Sequence, residues 1–210
     1  MDKYRETFET WNKVAKLYEA KFMNLDLYNH TYDFICSSLN KSNPNILEIG
    51  CGPGNITRYL LAKRPDFNIF GIDIAPNMIE LAKKNNPRAN FAVMDCREIN
   101  DLQGTYDGII CGFCLPYLSG NDSKKLISDC YDLLNKNGLF YLSFVEGDPK
   151  NSHFQVGSNG NRIFFYFHDL EELTEQLYMN NFDEVKIFKV EYERTKSEIH
   201  TILTAKKRSA

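Results

Sequence analysis

Residues 46 to 57 read Ile-Leu-Glu-Ile-Gly-Cys-Gly-Pro-Gly-Asn-Ile-Thr, an apolar segment, then three alternating glycines, then residues that open a helix. Gly50, Gly52 and Gly54 allow backbone conformations closed to other residues and, having no side chains, let a ligand reach the main chain. Asp73 follows 19 residues after Gly54, at the end of the next apolar run, Phe67 to Ile72. A carboxylate there can accept hydrogen bonds from a ribose diol, which points to an adenosine-type cofactor. The bland alternative is a tight turn that binds nothing. Against it stand the strand before, the helix after and the acid closing a second strand. A dinucleotide fingerprint would place its third glycine at position 55, where this chain has Asn55. The spacing therefore disfavours a nicotinamide-dependent oxidoreductase.

Such a turn works only at the edge of a sheet. Apolar runs of strand character recur at 45–50, 67–73, 90–94, 107–112 and 138–145, with helical patterns between most of them. That alternation predicts a parallel sheet with helices on both faces. Leu126, Ile127, Cys130, Leu133 and Leu134 keep helical spacing before a stop at Gly138; Pro76 opens a helix carrying Met78, Leu81 and Ala82; Leu170, Leu173 and Leu177 mark another over 169–180. The last runs, 182–192 and 197–205, are too close for a helical crossover and should pair as an antiparallel hairpin.

Ahead of the sheet, residues 5–40 read as two helices bearing Phe8, Trp11, Val14, Tyr18 and Phe22, then Tyr28, Tyr32, Ile35 and Leu39. They must cover something. Core packing is the plain expectation, a lid over the ligand crevice the functional one. The stretch 147–161 reads as an irregular loop leaving the fifth strand, where functional loops gather. The aromatic run Phe164 to Phe167 reads as core packing.

A length of 210 residues suits one domain. With 25 basic and 28 acidic residues the formal charge is -3, which gives no global field to draw DNA or an anionic membrane. The basic cluster Lys206-Lys207-Arg208 reads as a solvated tail. Charges occupy the N-terminus where a signal peptide needs an apolar stretch, and no run approaches membrane-spanning length, so the expectation is a soluble cytoplasmic protein. The six cysteines sit mostly within apolar runs and read as reduced thiols. Cys111 and Cys114 form a CxxC, but no second pair or histidine pair lies at zinc-like spacing, and no metal is expected.

Taken together, residues 45 to 205 resemble the class I S-adenosylmethionine-dependent methyltransferases. Leu47-Glu48-Ile49-Gly50-Cys51-Gly52-Pro53-Gly54 is similar to the family's first motif, and Gly71-Ile72-Asp73-Ile74-Ala75-Pro76-Asn77-Met78-Ile79 to its second, in which the acid binds ribose and the following apolar residues flank adenine. Met94-Asp95-Cys96 resembles the segment whose acid meets the adenine amino group. Tyr106 to Gly112 resembles the fourth-strand motif, and Leu134 to Phe140 the turn into the fifth strand. The resemblance implies an α/β, Rossmann-like, doubly wound and mostly parallel seven-stranded sheet with a C-terminal antiparallel hairpin and N-terminal cover helices. Within one domain the expected parts are a helical cover over 1–40, a cofactor-binding core over 45–145, a substrate-side loop over 146–168 and a C-terminal helix and hairpin over 169–205.

The implied cofactor is S-adenosylmethionine, held by Glu48, Gly50, Cys51, Gly52, Gly54, Asp73, Ile74, Met78, Asp95, Cys96 and Cys111. The implied acceptor is a small molecule, since Cys114-Leu115-Pro116-Tyr117 lacks the Asn/Asp-Pro-Pro-aromatic motif of base amino-methyltransferases. A monomer or homodimer is expected. A non-catalytic cofactor-binding partner protein, or an enzyme acting on protein or RNA, remains open. A sulfonium methyl is already activated, so the protein must chiefly align the acceptor and exclude water, and a general base matters only for a protonated acceptor. Ligands of open α/β sheets sit beyond the carboxyl ends of the strands, which makes Tyr117, Glu146 and His153 the candidates for proton handling. Each could equally be a wall or surface residue. His168-Asp169 reads as a helix start, and His200 as a sheet-surface residue.

Overall fold

Strand β1 (Asn45–Ile49) is apolar at every buried position but one, and lies parallel between β2 (Asn68–Asp73) and β4 (Tyr106–Cys111). In this computed structural model, which describes residues 2–157, 160–193 and 198–208, β3 (Asn90–Val93) flanks β2 and β5 (Leu134–Val145) flanks β4, also in parallel. The C-terminal strands β8 (Phe182–Glu193) and β9 (Glu198–Lys207) complete a sheet of order β3-β2-β1-β4-β5-β9-β8, with β9 antiparallel to both neighbours. The expected fold and its terminal hairpin are therefore present; residues 194–197, which connect the two strands, lie outside the described residues.

Alternation along the strands decides which helix each face receives. Leu47, Ile49, Ile109, Cys111, Phe140 and Leu142 face α5 (Gly120–Leu133) and α6 (Leu170–Met179). Ile46, Ile110, Tyr141 and Ile202 face the other way, onto α2 (Asn29–Ser38) and α3 (Asn55–Lys63). The second N-terminal helix is thus a core helix: Tyr32 and Ile35 are buried, and so is Tyr28 just before it. Tyr28 Oη lies 2.6 Å from His200 Nδ1. His200 is buried beneath Tyr28 and Tyr192 rather than on the sheet surface, because its position on β9 falls under the segment leading into α2.

The first helix, α1 (Lys3–Phe22), behaves differently. It crosses the carboxyl edge of the sheet and packs against α4 (Pro76–Asn85) and a small hairpin. That hairpin replaces the expected irregular loop: β6 (His153–Val156) pairs antiparallel with β7 (Arg162–Phe165), with Ser158 and Asn159 outside the described residues. Its role is to hold α1. Phe164 N donates to Thr7 Oγ1 at 2.9 Å, Thr10 Oγ1 donates to Arg162 O at 2.7 Å, and Arg162 pairs with Glu6 at 2.6 Å. The basic C-terminal cluster is likewise structural in part, since β9 runs to Lys207, whose Nζ donates to Tyr131 O and Leu134 O.

Candidate active site

The chain leaves β1 at the point where strand order reverses, between β2 and β4, the usual crevice of an open α/β sheet. Gly50, Gly52 and Gly54 all have positive φ, at 66°, 52° and 80°. The reasons for glycine differ. A Cβ on Gly54 would meet Asn86 Nδ2 at 2.3 Å, and one on Gly50 would meet Cys114 Cβ at 3.0 Å, so the protein itself forbids side chains there. At Gly52 the nearest atom would be Tyr18 Cε1 at 3.7 Å, ordinary contact. Space beside Gly52 is open to a ligand.

Asp73 ends β2 on the same edge. Its Oδ2 accepts from Gly52 N and its Oδ1 from Ala75 N, both at 2.9 Å, which fixes the carboxylate plane and leaves lone pairs on each oxygen. Burial outweighs these two donors and raises its pKa above the ordinary value. Further along, Asp95 caps the 3-10 turn Cys96–Asp101 and is gripped by Arg97, whose Nε reaches both carboxylate oxygens at 3.0 Å and Nη2 one at 2.5 Å. The guanidinium also stacks on Tyr4, 4.2 Å from the ring centre.

A cavity lies between this edge and α1. Gly50, Gly52, Asp73, Ile74, Met78, Asp95, Cys96 and Arg97 form its sheet side; Tyr4, Thr7, Phe8, Trp11 and Tyr18 of α1 roof it; Phe113, Cys114, Tyr117 and Leu118 close the β4 end. Trp11 meets Tyr18 edge-on at 5.5 Å and Tyr117 at 5.3 Å. The turn after β4 is tightly fixed. Phe113 holds φ 54°, its N–H donating to Ser143 Oγ at 2.8 Å, while His168 Nε2 lies 2.8 Å from Leu115 O and Tyr166 N donates to Pro116 O at 2.7 Å. Backbone strain at a bulky residue beside a ligand cavity persists only where surroundings over-determine it, as they do here.

Residues 46–138 match the family described as "Methyltransferase domain". That stretch is similar to a methyltransferase domain. It is 33% identical over 174 residues to a putative methyltransferase of Invertebrate iridescent virus 6, covering 79% of this chain and 64% of that protein. Over 107 residues it is 43% identical to a trans-aconitate 2-methyltransferase of Methylobacterium radiotolerans, covering 51% of this chain and 40% of that one. The chain thus spans less than two thirds of the length of these curated relatives. Among solved structures, magnesium protoporphyrin IX methyltransferase from Synechocystis PCC 6803 with bound SAM superposes with a TM-score of 0.72 at 19% identity, covering 100% of this chain and 98% of that one, which speaks for the fold.

Of the residues expected at the site, Gly50, Gly52, Asp73, Ile74, Met78, Asp95, Cys96 and Tyr117 are brought to the cavity, while the others are not. Cys51 turns its side chain into a cluster with Ile79, Ala82 and Phe91, Cys111 points from β4 toward α5, and Gly54 is spoken for by Asn86. His153 is exposed on β6, its Nδ1 2.7 Å from Asn151 O. Glu146 pairs with Lys189 at 2.8 Å and accepts from Thr201 Oγ1 at 3.0 Å, beyond the far side of β5. Glu146 is drawn to Lys189 and Thr201, and His153 sits in the 147–168 segment, which buttresses α1 from outside instead of lining the cavity. Sequence reasoning missed Arg97 and Cys114, while Phe113, expected near the acceptor from its place after the fourth strand, does line the cavity. Only Arg97 left a local signal, an arginine two residues after a motif acid.

The thiols of Cys96 and Cys114 lie 3.7 Å apart in the cavity wall. The Cys114 contact together with burial holds Cys96 well above the usual thiol range, and the Cys111 contact together with burial does the same for Cys114. Neither presents a thiolate. No group of three or more potential metal ligands occurs among the described residues.

Glu48 alternates to the α3 face, where Thr57 Oγ1 donates to its Oε2. Its Oε1 is buried without a hydrogen-bond partner among the described residues, and burial pushes its pKa up to about 8. A carboxyl raised in this way from 4.5 stabilises the fold while protonated, and that contribution drains away as pH rises from the unfolded value through 8. Between pH 6 and pH 9 the protein should lose about 2–3 kcal/mol more stability than Glu48→Gln. Urea unfolding of both proteins across that range measures the difference; parallel curves would mean that Glu48 is ionised in the fold.

Proposed function

We propose that this protein transfers a methyl group from S-adenosylmethionine to an oxygen, nitrogen or carbon atom of a small molecule. The observation that carries the reading is the pairing of Asp73, pre-set by two backbone donors, with the open side of Gly52 beneath an aromatic roof. The cofactor supplies an electrophilic methyl on a positively charged sulfur.

The chain's own residues hold and exclude. Asp73 accepts from the ribose hydroxyls, Ile74 and Met78 offer apolar surface to the purine, Asp95 and Cys96 stand at its edge, and the main chain at Gly50 and Gly52 runs along the amino-acid part. Tyr18 presents a ring of the kind that favours a nearby cation. Tyr117 is no base: burial raises its phenol pKa further above the ordinary value, so it stays neutral and can only donate or orient. Transfer in such a site rests on alignment in a space closed to water. The six free cysteines suit work in the reducing cytoplasm.

The test is calorimetric titration with S-adenosylhomocysteine. The wild-type protein should bind it, and Gly52→Val should weaken binding by about tenfold or more while the circular dichroism of the sheet survives, because the added side chain enters ligand space and strains a turn held at φ 52°, both outside the core. Equal affinity in the variant would remove the close-approach argument, and absence of binding to wild-type protein would remove the cofactor.

A further inference from the structure

The β4 end of the cavity hangs on one short turn. Phe113, Cys114 and Tyr117 line the cavity from it, and Cys114 also abuts the glycine turn, since a Cβ on Gly50 would meet Cys114 Cβ at 3.0 Å. The turn needs outside support. Phe113 at φ 54° holds a conformation that a bulky side chain disfavours, so its shape persists only under restraint from neighbouring elements.

That restraint comes from β5 and from the segment that follows β7. Ser143 Oγ accepts from Phe113 N, Tyr166 N donates to Pro116 O, and His168 Nε2 lies 2.8 Å from Leu115 O. Of these, His168 is the buried ring, only 4% exposed, and burying an imidazole is unfavourable unless it is hydrogen-bonded. A carbonyl can only accept, so the ring carries its proton on Nε2 and its tautomer is fixed. Burial lowers the His168 pKa and keeps the ring neutral. The same stretch of chain also seats the roof: Arg162 and Phe164 bond Thr10 and Thr7 of α1, while Tyr166 and His168 bond the turn. Roof and wall are referred to one segment.

We infer that His168 is a positioning residue of the site: through the Leu115 carbonyl it fixes the 113–117 turn, and with it the β4 wall of the cavity and the Gly50 flank of the cofactor turn. His168 is not among the residues that line the cavity, so it acts through the turn alone. Only the link to the cofactor rests on S-adenosylmethionine as the donor.

The experiment turns on the reach of two amides. Glutamine brings its side-chain N–H close to the Nε2 position, whereas asparagine is one methylene shorter and matches Nδ1. His168→Gln should therefore keep the turn, and His168→Asn and His168→Leu should release it. Release is read as the rate at which N-ethylmaleimide alkylates Cys114, followed site by site by mass spectrometry, with Cys130, fully buried on α5, reporting global unfolding in the same sample. Cys114 should react about tenfold faster in His168→Asn and His168→Leu and within about twofold of wild type in His168→Gln, with Cys130 unchanged throughout. Ser143→Ala, which takes the acceptor from Phe113 N, should speed Cys114 in the same way. Calorimetric affinity for S-adenosylhomocysteine should fall by about fivefold in His168→Asn and be retained in His168→Gln. Asparagine behaving like glutamine, glutamine behaving like leucine, Cys130 rising together with Cys114, no change of Cys114 in Ser143→Ala, or an unchanged affinity in His168→Asn would each overturn the assignment. Failure of the wild-type protein to bind S-adenosylhomocysteine would instead strike the donor, and the Cys114 rates would still decide the role of His168.

Discussion

Asp73→Ala should lower the affinity for S-adenosylhomocysteine by about a hundredfold or more. Hydrogen bonds to a charged acceptor contribute about 1.5–3 kcal/mol each, and a hundredfold corresponds to about 2.7 kcal/mol, so two ribose hydroxyls account for the effect. The structure gives a second reason. The same carboxylate anchors Gly52 N and Ala75 N, so its loss frees the glycine turn and the start of α4 as well as the ribose site. Calorimetry on wild type and variant, with Asp73→Asn alongside, separates the two contributions, since Asn retains one acceptor oxygen. Hydroxyl donors favour the ionised acid, so wild-type affinity should hold above the raised Asp73 pKa and decline as pH falls through it. Unchanged binding in Asp73→Ala would take the ribose away from this residue.

The turn at 50–54 and the acid at 73 were legible in sequence because each depends on local chain geometry: a strand end, a positive φ, an acid at fixed spacing. The parallel sheet and the terminal hairpin followed from the same local patterning and from connection length. The roof was legible only as aromatic residues that had to cover something. What assigns α1 to the cavity and α2 to the core is pairing across more than a hundred residues, Thr7 with Phe164 and Tyr28 with His200, which no periodicity reports. The hairpin β6-β7 was hidden for a related reason. Its Gly- and Asn-rich connection has loop composition, and its short strands gain their value from seating α1 rather than from a hydrophobic run of their own. Glu146 and His153 were placed at the site by topology, which gives an edge and not a direction; Lys189 and the β6 pairing then turned them away. The three glycines looked equivalent. All three hold positive φ, and neighbouring side chains, Asn86 and Cys114, crowd two of them while Gly52 keeps room beside it.

Removing residues 1–20 should reduce methyl transfer to an identified acceptor by about a thousandfold or more, because alignment and water exclusion supply most of the rate for an already activated methyl, and well-oriented intramolecular reactions gain about 7–11 kcal/mol. The cut must stop there. Arg58 Nη2 donates to Met23 O and Tyr28 belongs to the core beside His200, so a longer deletion would disturb the sheet. Up to that point α1 is separable: of its residues only Thr7 and Ala15 are buried, its apolar contact is the small patch of Ala15, Phe8, Trp11 and Tyr18 on Ala75 and Met78, and the rest of its attachments are polar latches, Tyr4 to Asp122 and Ser119, Asn12 to Asn77, and Thr7 and Thr10 to β7. Latches of that kind exchange readily with water, which is what an element that must lift for ligand entry requires. The truncated protein should keep a cooperative melt and most of its affinity for S-adenosylhomocysteine, whose main holders, Asp73 and the glycine turn, lie on the sheet. Retained turnover would make α1 a packing helix. Complete loss of cofactor binding would instead make Tyr18 and its neighbours part of the cofactor site, since the sheet edge alone would then be too open to hold it.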